Sequence, residues 1–364
     1  MRNALVHVVG ARPNFVKAAP VLRGLEALGV PQRLVHTGQH YDVAMSDVFF
    51  RDLDLPRPDE SLGVGSGSHA SQTAALMVAL EKVFTSHPPP LAVVYGDVNS
   101  TIAAAIVCAK LGIPTAHVEA GLRSFDRSMP EEINRVVTDS LADLLLVTSP
   151  EGLDNLAREG VDGERVHLVG NPMIDTLLRH LERFDPGPVR QRLGVPERYA
   201  VATIHRPANV DQPDAARRIV LALQEAVARI AVVLPLHPRG RASLEGAGLA
   251  ELADRGLMVL DPLGYLDFLS LVRGSSAVIT DSGGIQEETT ILGIPCLTLR
   301  PNTERPITIT HGTNRLVEPE ALGPALDRAL AGEQAMPPDG PPLWDGHAGE
   351  RIAGVIEAWL GSAA

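Results

Sequence analysis

Short runs of aliphatic and β-branched residues alternate with longer helix-patterned stretches almost from end to end of this chain. Runs at 5–9, 34–37, 91–95, 115–118, 144–147 and 166–169 form one series. Runs at 199–204, 231–236, 258–260, 277–280, 296–299 and 315–317 form a second. Most lack the alternation of a strand with one wet face, which predicts parallel strands covered on both sides. Helical spacing occupies 14–28, 71–84, 100–111, 131–142, 150–158, 215–228, 265–273 and 284–292. The expected class is α/β, with two Rossmann-like doubly wound parallel-sheet domains facing a cleft. A length of 364 residues accommodates two cores. Pro- and Gly-rich breaks at 170–172 and 184–198 put the N-terminal domain at 1–171 and the C-terminal domain at 172–346. A last helix within 347–364 is expected to return to the first domain.

Charge narrows the function. Thirty-two basic residues stand against 44 acidic ones, a formal charge of −12, with no basic stripe. Nucleic acid and anionic membranes are therefore not expected partners. An anionic ligand would need locally gathered cations, which singles out Arg12, Lys17, Arg123, Arg206 and Arg305. Cys108 and Cys296 read as reduced core residues. No run reaches membrane-spanning length, and the N-terminus lacks a signal-peptide pattern, so the cytoplasm is expected. The chain has no HExxH, no Cys/His cluster, no GxGxxG, no P-loop and no GxSxG. Neither a metal nor a nicotinamide cofactor is expected.

Parallel sheets bind ligands beyond the carboxyl ends of their strands, so the residues that end each run matter most. Five runs end in reactive groups: Asp97, Glu119, His205, His237 and the pair Asp281–Ser282. The first run turns through Gly10-Ala11-Arg12-Pro13-Asn14 into a helix carrying Lys17, an arrangement suited to an anion. Asp281-Ser282-Gly283-Gly284 opens another helix, with Ser or Asp as its cap and glycines that admit a phosphate. Glu287 and Glu288 follow in what reads as the first turn. They either complement the helix dipole or accept ribose hydroxyls. Pro130-Glu131-Glu132-Ile133-Asn134-Arg135 starts a further helix, where Glu131 and Arg135 have i,i+4 spacing. The loop at 121–128 before it has room to fold over a ligand.

In order, GARPNFVK (10–17), TGQHYD (37–42), YGDVNST (95–101), HVEAGLR (117–123), PEEINR (130–135), GNPMIDT (170–176), HRPANV (205–210), DSGGIQEE (281–288) and ERP (304–306) span nearly the whole chain. Together they resemble the non-hydrolysing UDP-N-acetylglucosamine 2-epimerases. That resemblance implies a glycosyltransferase-B type fold, a homodimer, and interconversion of UDP-N-acetylglucosamine with UDP-N-acetylmannosamine through elimination and re-addition of UDP. It implies Asp97, Glu119 and Glu131 as acid/base carboxylates, and His205 and Arg12 at the diphosphate with Lys17 nearby. It also implies Ser282, Gly283 and Gly284 as the phosphate-binding helix end, Glu288 as the ribose ligand, and Phe268 and Arg315 in the nucleotide site. Many members carry Glu at the positions of Asn14 and Ala208, a difference expected to tune substrate choice. Some bacterial members have an activating second substrate site. Here Gln39 and His40 are kept, but Asp42 and Ser71 replace a Gln and an Arg, so activation is expected to be weak or absent. The alternatives are a 2-epimerase of a modified UDP-sugar such as a UDP-diacetamido-uronic acid, a glycosyltransferase on the same fold, and an inactive nucleotide sensor.

Overall fold

Every residue of the first strand, Leu-Val-His-Val-Val, is buried, as a run apolar on both faces requires. That strand is β1 (Leu5–Val9), and β2 (Gln32–His36), β3 (Glu60–Ser61), β4 (Ala92–Tyr95), β5 (Thr115–Ala120), β6 (Leu144–Val147) and β7 (Val166–Leu168) join it in one sheet. Their order is β3-β2-β1-β4-β5-β6-β7, and all pairs are parallel. The connecting helices are α1 (Arg12–Ala27), α2 (His69–Ser86), α3 (Asn99–Leu111), α4 (Pro130–Leu141), α5 (Pro150–Arg158) and α6 (Pro172–Arg179). Val6, Val8 and Val94 of the sheet pack with Leu76, Leu80 and Phe84 of α2 and with Ala103, Ala104 and Val107 of α3. Each fully buried side chain of the larger kind contributes roughly 1.5–3 kcal/mol. The computed structural model describes residues 4–38, 50–236, 238–333 and 339–362, with Arg12, Pro238 and Arg239 described by backbone alone.

The second sheet contains β8 (Tyr199–Thr203), β9 (Ala231–Pro235), β10 (Leu257–Leu260), β11 (Ala277–Thr280), β12 (Cys296–Thr298) and β13 (Asn314–Leu316). Its order is β10-β9-β8-β11-β12-β13, again parallel throughout. The helices are α7 (Pro186–Leu193), α8 (Pro207–Val210), α9 (Pro213–Val227), α10 (Pro238–Gly246), α11 (Tyr265–Arg273), α12 (Gly283–Leu292), α13 (Ile307–Thr310) and α14 (Leu322–Leu330). Ile219 and Leu223 of α9 and Leu322 and Leu326 of α14 join the sheet residues Val232, Leu234 and Ile279 in one core. The segment 184–198 reads as a linker in sequence but contains α7. Pro186 sits in that helix's first turn, where its missing N–H costs nothing. Pro207 starts α8 in the same way.

The chain divides into Met1–Arg179 with Pro342–Ala364, and His180–Pro341. The break falls after Arg179 rather than at 171 because α6 packs on α1, where the Thr176 hydroxyl donates to the Val16 carbonyl at 2.6 Å. The last helix, α15 (Ala348–Ser362), also lies on α1. The Asp175 carboxylate accepts from its first N–H groups, Ala348 at 3.1 Å and Gly349 at 2.7 Å. Trp344, just before it, donates to the Thr148 carbonyl at 3.0 Å.

Candidate active site

Each sheet reverses its strand order once, between β1 and β4 in the first unit and between β8 and β11 in the second. The crevice outside the carboxyl ends at such a reversal is the default ligand position of a doubly wound sheet. Several of the residues expected from sequence, Lys17, Asp97 and Glu119 in the first unit and His205 and Ser282–Gly284 in the second, lie near these two places.

In the first unit, Asn14 fixes the turn after β1. Its side-chain oxygen accepts from the Gly10 and Ala11 N–H groups at 3.0 Å, and its amide donates to the Tyr95 carbonyl at 2.8 Å. Gly96 then turns the chain at φ 61°, and a Cβ there would stand 2.9 Å from a Glu119 oxygen and 3.0 Å from the Lys17 nitrogen. Lys17 and Glu119 form a salt bridge, both almost wholly buried. Glu119 itself has φ 75°, at a point where the β5–β6 register shifts. A non-glycine residue held in that conformation costs on the order of 1–3 kcal/mol, and such residues cluster at functional sites. Asp97 follows Gly96 and is gripped by Arg135 at 2.5 Å. Asn134 donates to the Asp97 carbonyl at 2.8 Å.

Those last two bonds draw α4 against Asp97, and Glu131 is partly exposed in the first turn of that helix. The expected Glu131–Arg135 pair does not form. Arg135 turns inward to Asp97 and Glu132, and is 2% exposed. Glu132 also accepts from the Ser124 N–H and hydroxyl and from the Phe125 N–H, each at 2.9 Å. Burial would raise its pKa, but these hydrogen bonds and Arg135 hold it below the usual range. The 121–128 loop is thereby pinned at 124–125 by α4, with Phe125 at φ 58° and 73% exposed. Arg123, expected as a ligand cation, is spent inside the protein. It pairs with Asp139 and, through two bonds of 2.7–2.8 Å, with Glu159.

In the second unit the wholly buried Asp281 organises the switch point. Its carboxylate accepts from the His205 and Arg206 N–H groups and from Asn209, and pairs with the His205 ring at 2.9 Å. Burial opposes ionisation there, but His205 and these bonds keep its pKa below the usual range. Ser282 precedes α12 without a side-chain capping bond, contrary to expectation, and the adjacent Asp281 is committed to the β8 side. Gly283 opens α12 in a tight place. A Cβ would fall 2.4 Å from Arg305 and 2.6 Å from Glu304. Glu304 pairs with Arg305, with Arg300 at 2.6 Å and more distantly with Arg206 at 3.7 Å. Arg305 also meets Glu287 at 3.0 Å. Burial disfavours the Glu304 charge, yet Arg305 and Arg300 hold its pKa far below the ordinary value.

Glu287 and Glu288 lie buried one turn into α12 rather than in its first turn, so neither serves the helix dipole. Burial, then the Glu287 charge, pushes the Glu288 carboxyl up to about 8 despite a hydrogen bond with Tyr265. Phe268 is half-buried on α11. Arg315 is exposed on the edge strand β13, where its guanidinium donates to the Asn314 and Ile309 carbonyls. His237 and the expectation about Gln39, His40 and Asp42 lie outside the described residues. Among the described residues, no group of three His, Cys, Asp or Glu side chains is placed to hold a metal, and no helix is long and apolar enough to cross a membrane.

Sequence reasoning did not assign roles to Glu132, Asp139, Glu304 and Arg300. Glu132, Arg135 and Asp139 stand at i, i+3 and i+7 on α4, a charged stripe on the face turned inward. That spacing was the available signal.

The family model described as UDP-N-acetylglucosamine 2-epimerase matches residues 25–357. A UDP-N-acetylglucosamine 2-epimerase of Methanocaldococcus jannaschii is 38% identical over 359 residues, 96% of this chain and 97% of the relative. A UDP-2,3-diacetamido-2,3-dideoxy-D-glucuronate 2-epimerase of Pseudomonas aeruginosa is 41% identical over 317 residues, 86% of this chain and 88% of the relative. The crystal structure of the M. jannaschii UDP-GlcNAc 2-epimerase in complex with UDP-GlcNAc and UDP matches with a TM-score of 0.91, covering 98% of this chain and 99% of that one. With two doubly wound parallel sheets, a glycosyltransferase-B type fold and these relatives, the chain belongs to the UDP-N-acetylglucosamine 2-epimerase family.

Proposed function

We propose that the protein is a non-hydrolysing UDP-N-acetylglucosamine 2-epimerase, interconverting UDP-GlcNAc and UDP-ManNAc. The observation that carries this reading is the first switch point, where the strained Glu119 meets Lys17 across Gly96 and Asp97 is braced by Arg135.

The hydrogen at C2 of the sugar has no adjacent carbonyl, so simple deprotonation and reprotonation is a poor route. Elimination avoids that difficulty. A carboxylate takes the C2 proton while the C1–O bond breaks, and its electron pair leaves on the β-phosphate oxygen of UDP. The C–H electrons form the C1–C2 double bond of a 2-acetamidoglucal. Return of the phosphate oxygen to C1, with proton delivery to the other face of C2, gives the epimer. Proton and leaving group are both recovered, so no redox cofactor takes part. Asp97, Glu119 and Glu131 form the acid/base set. The leaving diphosphate is stabilised by Arg12, Lys17, His205 and the α12 end at Ser282, Gly283 and Gly284. Glu288 takes the ribose, and Phe268, Arg315 and His237 complete the nucleotide site. The enzyme works in the cytoplasm as a homodimer, supplying sugar nucleotides for cell-surface polysaccharide.

Incubation with UDP-GlcNAc in deuterated water, followed by NMR, tests this. Deuterium should appear at C2 of both epimers. Release of UDP only when a sugar acceptor is added would replace the reading with glycosyl transfer. A second reading rests on the P. aeruginosa relative, whose identity of 41% is above that of the M. jannaschii enzyme, though over less of the chain. The substrate would then be a UDP-diacetamido-uronic acid, and C2 exchange across a substrate panel separates the two.

A further inference from the structure

We propose that Asp139 is a positioning residue that holds Glu119 in its left-handed conformation, and so sets the direction of that carboxylate. This rests on the reading of Glu119 as an acid/base group. Asp139 lies in α4 and is 1% exposed. One of its oxygens meets the His117 ring at 2.6 Å, and the other accepts from the Gly121 N–H at 3.0 Å. Those partners are the second residue before Glu119 and the second after it. A single carboxylate thus spans the bulge and ties both of its ends to one helix.

Three further bonds stiffen the arrangement. The other nitrogen of His117 meets the Gly96 carbonyl at 2.8 Å, the residue whose missing Cβ leaves room for Glu119 and Lys17. Arg123 donates to Asp139 at 2.7 Å, which supplies the counter-charge that a buried carboxylate requires. Asn155 donates to the Gly121 carbonyl at 2.9 Å, fixing the downstream end from a second helix. Asp139 has no bond to Glu119 itself among the described residues. Its effect passes through the backbone of 117–121, where a local shift re-aims the Glu119 side chain.

The test is Asp139→Asn alone and combined with Glu119→Gln, followed by C2 deuterium incorporation and UDP titration. Asp139→Asn should lower kcat on the order of 100-fold, the cost of misplacing a reacting group by about 1 Å. KM and UDP affinity should stay within about twofold of the parent, because the nucleotide does not depend on the bulge. In the Glu119→Gln background Asp139→Asn should cost nothing more, since the group it positions is already gone. A single variant with near-parental kcat would overturn the proposal, and so would a loss that multiplies with that of Glu119→Gln. If Asp139→Asn does not fold, His117→Gln carries the same readouts, because a glutamine amide cannot bridge Asp139 and the Gly96 carbonyl together. Absence of C2 exchange in the parent protein would sink the epimerase reading instead, which keeps the two failures distinct.

Discussion

At both switch points a buried aspartate receives a histidine ring. Asp139 takes His117 in the first unit, and Asp281 takes His205 in the second. The rings differ in where they end. The His117 side chain is fully buried and reaches the Gly96 carbonyl, whereas the His205 side chain is 55% exposed. One pair is a brace behind the carboxylates, and the other presents a ring outward. The surrounding charges differ in the same sense. Asp97 pairs with Arg135, which also holds Glu132, and Glu119 pairs with Lys17. In the second unit three arginines converge on the carboxylate of Glu304 beside the start of α12, and one of them, Arg305, also holds Glu287. The first arrangement suits proton transfer and the second suits an anion.

If that division holds, substitutions at the two places should separate turnover from nucleotide affinity. Glu119→Gln should show the largest effect, a turnover loss on the order of 1,000-fold, since one acid/base group supplies roughly 10²–10⁴. UDP titration should give an affinity within about twofold of the parent. A parallel loss of UDP affinity would break the comparison. The next effect belongs to Gly283→Ala. The added Cβ cannot share space with Arg305 and Glu304, so both must move away from the end of α12. UDP affinity should fall by roughly 30-fold, about 2 kcal/mol, as expected for losing a charge-assisted hydrogen bond. Turnover at saturation should fall by less than it does in Glu119→Gln, because the diphosphate is the leaving group but the acid/base set is intact. Gly96→Ala acts on the first unit, because there the Cβ displaces Glu119 and Lys17 and should lower kcat by more than it lowers UDP affinity.

Such contrasts were only partly legible in the sequence. The strands were, because uniformly apolar runs leave few alternatives, and β6 and β11 occupy 144–147 and 277–280 as read. Helices α7 and α8 were not, since proline marks both a linker and a first helical turn. Strand-end chemistry placed Asp97, Glu119 and His205 at the switch points, because parallel topology sends every carboxyl end to one edge. What joins them was hidden. Asp139 lies 22 residues from His117 along the chain, and nothing local marks the two as partners. Local spacing even pointed the wrong way for Arg135, which ignores Glu131 in favour of Glu132 and Asp97. Spacing predicts which groups share a helix face, but the packing decides which of them turn inward.

The smallest effect on rate, and the sharpest on stability, concerns Glu288. Burial and the neighbouring Glu287 push its carboxyl from 4.5 to about 8 in the folded protein. Between those values the folded chain holds a proton that the unfolded chain has released. Stability attributable to this group must therefore fall as pH rises from about 4.5 to 8 and level off above. Glu288→Gln removes the slope while keeping a neutral group of similar shape. Thermal unfolding without ligand should then show the variant close to the parent near pH 5 and more stable by roughly 1–3 kcal/mol near pH 8.5. A variant less stable than the parent at pH 8.5 would mean that the folded protein serves the ionised carboxylate well. If Glu288 takes the ribose as proposed, the same substitution should weaken UDP binding, because ribose hydroxyls donate best to a charged carboxylate.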